Sequence, residues 1–91
     1  MQVIVLNRIM DRHPDLTRED VLTSFHSIYI DAPRAGTDNV WIAVGTDERL
    51  REIEMIYLID YTNNRIIIFH AFSPPTKKFK QEIQRMRRRL S

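Results

Sequence analysis

Catalysis in this chain has few groups to draw on, and His70 is the first of them. It lies near the end of the apolar run Arg65-Ile66-Ile67-Ile68-Phe69-His70-Ala71-Phe72, just before Ser73-Pro74-Pro75-Thr76 and the pair Lys77-Lys78. An imidazole titrates near neutrality and can take or give a proton, and strand ends and loops are where reactive groups are displayed. The plain alternative is a histidine packed at a strand end and hydrogen-bonded there. Glu54 is the second candidate, as a general base or as the group that holds a cationic side chain in place. In Arg51-Glu52-Ile53-Glu54, strand alternation puts Glu52 and Glu54 on one face and Arg51 on the other. A solvated, charged strand end accounts for the same residues without chemistry. His13, ahead of a helix start, and His26, late in a helix, read as structural or solvated.

Lys77, Lys78, Lys80 and Arg85, continued by Arg87, Arg88 and Arg89, supply charge that can neutralise phosphates and stabilise a pentacovalent phosphate. With His70 beside them and Arg51 as a further cation, the set suits cleavage of an RNA backbone through the 2′-hydroxyl. A solubilising helix face is the competing reading. Charge is distributed unevenly: residues 1–76 carry seven arginines against eleven carboxylates, a net of −4, and residues 77–91 carry seven cations against Glu82, a net of +6. A basic end on an acidic body points to a polyanion or an acidic protein as partner.

Other chemistries find no residues to carry them. The chain has no cysteine, which removes disulfides, thiolate metal sites and cysteine nucleophiles together. No pair of histidines or carboxylates has the tight spacing of a known metal site, and Glu52-x-Glu54 alone is weak, so no metal is expected. A Gly-rich phosphate loop and a Gly-x-Ser-x-Gly elbow are both missing, which argues against nucleotide hydrolysis and esterase chemistry.

The elements that must position these groups follow from the pattern. At 43% hydrophobic and 29% charged, the 91 residues balance as one globular domain, residues 1–91, with little room for a deep pocket. Val3, Ile4, Leu6, Ile9 and Met10 can stripe a first helix over 3–12. Thr17-Arg18-Glu19-Asp20 reads as an N-cap with an acidic residue at N3, flanked by Leu16 and Val21, and predicts a second helix over 18–26. Ser27–Asp31 predicts a short edge strand before a turn-rich connection. Val40–Val44, Ile53–Ile59 and Arg65–Phe72 predict an antiparallel meander, and the last two runs, apolar on both faces, predict central strands covered at least partly on both sides, by helices or by a partner chain. Ser73 or Thr76 is the expected cap of a last helix, on which Phe79, Ile83, Met86 and Leu90 form an apolar stripe. The expected class is therefore α+β, with two N-terminal helices, an antiparallel sheet of three to four strands and a basic amphipathic C-terminal helix. The first apolar run is too short for a signal-peptide core or a membrane span, so a cytoplasmic protein without membrane contact is expected.

Several segments together resemble the BrnT-like ribonuclease toxins of bacterial type II toxin–antitoxin modules, a branch of the RelE/ParE superfamily. Arg12-His13-x-x-x-Thr17-x-Glu19-Asp20-Val21 is similar to that family's opening, and Val44-Gly45-Thr46-Asp47 to its strand-end Gly turn. Arg51-Glu52-Ile53-Glu54-Met55-Ile56-Tyr57 and Arg65–Phe72 resemble two of its strands, and Lys77-Lys78-Phe79 its basic-aromatic helix start. The chain departs from the pattern in lacking an arginine after His70-Ala71-Phe72 and in having Glu48-Arg49-Leu50 where a Gly-Arg turn is usual. The resemblance implies a RelE/ParE-like toxin fold, an RNA substrate, no cofactor and neutralisation by a cognate antitoxin protein. On that basis the chain is expected to be an endoribonuclease, with His70 or Glu54 moving protons and Arg51, Lys77 and Lys78 holding phosphate. A non-enzymatic module that binds an acidic protein or nucleic acid is the alternative, and a homodimer is left open.

Overall fold

Val3, Ile4 and Val5 are all β-branched, and in the computed structural model, which describes residues 1–91, they belong to a strand, β1 (Gln2–Val5), not to a helix. This corrects the expectation of a helix over 3–12: only its second half turns, as the short helix α1 (Arg8–Arg12). Stiff branched side chains crowd a helical turn but fit a pleated surface, and the tertiary partner settles the choice. β1 lies parallel to β5 (Arg65–Phe72), with Val5 opposite Ile68.

The remaining elements are α2 (Arg18–His26), β2 (Ile28–Pro33), β3 (Val40–Thr46), β4 (Glu52–Asp60) and α3 (Lys77–Leu90). Strands β2 to β5 form the expected antiparallel meander, and β2 is an edge strand. The addition of β1 makes the sheet five-stranded and mixed, in the order β1-β5-β4-β3-β2. The chain thus opens on a strand instead of two helices, and its sheet is not the antiparallel one of three to four strands predicted. The α+β class and the C-terminal helix stand. No helix is long and apolar enough to cross a membrane.

Helix α2 starts where its cap requires. The Asp20 N–H donates to the Thr17 hydroxyl at 3.0 Å and the Thr17 N–H to the Asp20 carboxylate at 2.9 Å, closing a capping box. Leu16 and Val21 are buried in the core on this side. That core runs between α1, α2 and one face of the sheet and includes Ile9, Ile53, Met55, Tyr57 and Ile68. Gly45 lets the end of α2 approach β3, because a Cβ there would stand 2.0 Å from the Ser24 carbonyl oxygen. Helix α3 covers the opposite face, where Phe79 and Ile83 pack on Ile42, Val44 and Ile56. Full burial of each such side chain contributes about 1.5–3 kcal/mol. Met86 is half-buried, while Leu90, 64% exposed, lines a cleft with Pro33 of β2 and Trp41 of β3. Strand β4 is therefore central and covered on both sides, while β5 is covered on the α1–α2 side and meets the α3 cluster through Phe69.

Candidate active site at the entrance of the last helix

The side chain of His70 reaches its partner through an irregularity in β5. Ile66 and Ile68 face the α1–α2 layer, and strict alternation would send residue 70 the same way. A β-bulge intervenes: Ile56 pairs with His70 and the next residue, Tyr57, with Ile68, leaving Phe69 as the extra residue. His70 is thereby turned to the α3 face, where its Nε2 lies 2.8 Å from Glu54 Oε2. Ala71 then falls back into the opposite core.

Glu54 is 4% exposed, and a carboxylate at that depth needs partners. It has two: His70 on one oxygen and, on the other, the backbone N–H of Thr76 at 2.8 Å. Thr76 is the N-cap of α3, its hydroxyl accepting from the Phe79 N–H at 3.1 Å. The carboxylate therefore ties the imidazole to the helix start. Because an ionised carboxylate offers only lone pairs, the ring presents its N–H from Nε2, and Nδ1 is left as the basic position. The imidazole side chain is 35% exposed, so solvent and a ligand can reach it.

A shallow groove of about 240 Å³ runs over this pair and is lined by His70, Glu54, Thr76, Lys78, Arg34 and Glu82, with Ile56 and Phe79 as its apolar floor. Lys77 and Lys78 are exposed and in no ion pair, so their charge is free for a ligand. Arg34 is held in the groove by Glu82, at 3.1 Å and 3.3 Å from two of its nitrogens. Sequence reasoning missed Arg34, since its loop gives no signal that it meets α3. The pairing with Glu82, the single carboxylate among the α3 cations, becomes visible only with the fold.

Three predicted residues stand apart. Arg51 lines neither groove that contains His70. Its guanidinium donates to Asp47 at 2.8 Å and to Asp20 at 3.1 Å, and to the Asp15 carbonyl at 3.2 Å, a set that fastens β4 to the start of α2. Burial pushes the Asp47 carboxyl up, but the backbone N–H and guanidinium of Arg51 and the backbone of Arg49 outweigh it and hold the carboxyl below the usual range. Asp20 is likewise lowered, its burial outweighed by the Thr17 hydrogen bonds and by Arg51 and Arg49. Lys80 is engaged too: it donates to Glu52 at 3.0 Å, and Glu52 also accepts from the Tyr29 hydroxyl. Burial, then this bond, push the Tyr29 phenol up to about 12. Arg85 is exposed on α3, one turn or more beyond the groove, together with Arg88 and Arg89.

The structure thus brings together His70, Glu54 and Lys78, leaves Lys77 beside them at the helix start, and places Arg51, Lys80 and Arg85 elsewhere. No group of three or more histidine, cysteine or acidic side chains is arranged to hold a metal ion. Comparison with known families, with curated proteins and with solved structures gave no match. The function is therefore argued from this geometry.

Proposed function

We propose that the protein binds RNA across the entrance of α3 and cleaves it through the 2′-hydroxyl, with the Glu54–His70 pair moving the protons. One observation carries the reading: a buried carboxylate orients a partly exposed imidazole at 2.8 Å, beside lysines that no carboxylate neutralises. That is the base–orienter arrangement of general acid–base catalysis, set next to anion-stabilising charge.

In the step so assigned, His70 Nδ1 takes the proton of the 2′-hydroxyl as its oxygen bonds to the adjacent phosphorus. The bond from phosphorus to the 5′-oxygen breaks, that oxygen takes a proton from solvent water, and His70 afterwards returns its own proton to solvent. The products are a 2′,3′-cyclic phosphate and a 5′-hydroxyl end. Lys78 and Lys77 offset the charge that grows on the phosphoryl oxygens, and Glu54 stabilises the imidazolium. Arg51 takes no part, because its donors are committed to Asp47 and Asp20.

With this activity we propose the finer identity suggested by the BrnT-like resemblance: the toxin of a bacterial type II toxin–antitoxin pair, acting on RNA in the cytoplasm and blocked by a cognate antitoxin that covers the α3 cations. A second reading, binding of a polyanion or acidic protein without chemistry, is favoured by Arg85, Arg88 and Arg89, exposed cations in no ion pair that stand apart from His70. The two separate in one assay, in which the protein is incubated with an RNA and with DNA of the same sequence. Cleavage is expected for the RNA alone, with cyclic-phosphate ends, and is expected to stop when the ribose at the cut is replaced by deoxyribose. RNA left intact, or DNA cut as well, would defeat the proposal.

A further inference from the structure

Beyond Val5 the chain leaves the flank of β5, and α1 takes up the position beside the strand's last residues. The Leu6 N–H donates to the Ile68 carbonyl at 3.1 Å, and the Arg8 guanidinium reaches the Phe69 carbonyl at 3.5 Å. A second groove of about 150 Å³ results, for which His70 is again part of the wall. The polar residues that line it are Arg8, Arg12, His13 and His70, and no carboxylate lines it.

Arg34, Arg49, Arg51 and Arg65 each lie against a carboxylate. Arg8 and Arg12 are exposed and share no ion pair, although Asp11 lies between them in sequence. Outside α3, Arg18 is the one other arginine that lacks an ion pair, and it donates instead to the Val5 carbonyl and the Asn7 side chain. Arg8 and Arg12 stand four residues apart on one helix, a spacing at which like charges repel. A bound anion would relieve that repulsion. His13 adds a ring held edge-on against Phe72, with centroids 5.0 Å apart.

We infer that Arg8, Arg12 and His13 form a second phosphate subsite, which holds an RNA phosphate next to the one that meets His70 and Lys78. The strand then crosses the end of β5 from α1 to α3 and passes over His70, the residue that both grooves share. The subsite rests on the reading of His70 given above, and names what that reading lacks: the contact that fixes the register of the strand over the ring.

The test is equilibrium binding of uncleavable 2′-deoxy oligonucleotides, a dinucleotide and a tetranucleotide, across a range of salt. Wild-type protein is compared with Arg8→Gln/Arg12→Gln, Arg8→Lys/Arg12→Lys and Lys78→Gln, with thermal melts to confirm folding. For the tetranucleotide the glutamine pair is expected to lower the slope of log affinity against log salt by about 0.7, the value of one single-strand phosphate contact. The lysine pair should retain the slope, and the gain in affinity from dinucleotide to tetranucleotide should shrink only in the glutamine pair. If the glutamine pair matches wild type while Lys78→Gln binds more weakly, the subsite is overturned and the α3 site survives. If wild-type protein binds neither oligonucleotide, both fall.

Discussion

His70 and Glu54 divide one task between exposure and burial: the ring meets solvent and the carboxylate does not. Glu54→Gln keeps the shape and the Thr76 contact but cannot stabilise a charged ring. Its RNA cleavage rate is expected to fall by more than tenfold with little change in RNA affinity, in a direct comparison of rates and binding constants. A loss of affinity with an unchanged rate would mean that Glu54 serves only to build the helix start. Asp47 belongs to a different task. Its carboxyl is 1% exposed, its folded pKa is depressed, and it joins Arg51 to the turn before β4. The unfolded chain therefore binds the proton more readily, so this stabilisation is full above about pH 3.9, the ordinary aspartate value, and is lost as the pH falls through the lower folded value. Asp47→Asn is expected to lose about 1.5–3 kcal/mol at pH 7, the worth of hydrogen bonds to a charged group, and to depend less on pH than wild type between pH 5 and 2. Urea midpoints across that range would show it, and parallel pH profiles would contradict it. Alternation alone already placed Arg51 across the strand from Glu54; of its three carboxylate neighbours Asp47 is four residues away, while Asp15 and Asp20 come from a distant segment that no local pattern reveals.

In the proposed reaction helix α3 ties catalysis to stability, because its first turn is part of the candidate site. Thr76→Ala removes the hydroxyl that accepts from the Phe79 N–H and is expected to cost about 1 kcal/mol. Thr17→Ala should cost a similar amount at α2, while only the Thr76 variant should slow RNA cleavage. Equal effects of the two on cleavage would show that α3 contributes nothing beyond general stability. Ile83→Ala is expected to cost about 2–5 kcal/mol by leaving a cavity against Ile42 and Val44, read from the denaturation midpoint. These helices were legible because caps and stripes are local: Thr17 with Asp20, Thr76, and Phe79 with Ile83 all announce themselves over four residues. The opening strand was not, since Val3-Ile4-Val5 needs β5 beside it before strand outweighs helix, and β5 comes more than half the chain later. The bulge at Phe69 was equally hidden. In a run apolar on both faces, an extra residue leaves no break in the pattern, yet it decides which face His70 takes.

Over the molecule as a whole, charge sorts by function. Arg34, Arg49, Arg51 and Arg65 each meet a carboxylate, and apart from Arg18 the lysines and arginines without one lie on α1 and α3. Binding to single-stranded RNA is therefore expected to weaken steeply with salt, since each neutralised phosphate releases condensed counterions. The charge asymmetry was plain in the composition; the share of it contributed by Arg8 and Arg12 was not, because their lack of partners is a property of the fold. The decisive measurement is the cleavage rate of one short RNA by wild-type protein and by His70→Ala, with affinity for its uncleavable 2′-deoxy analogue measured alongside. A fall in rate of about 10²–10⁴-fold at unchanged affinity is the predicted result. Equal rates, or RNA left whole by both proteins, would contradict it.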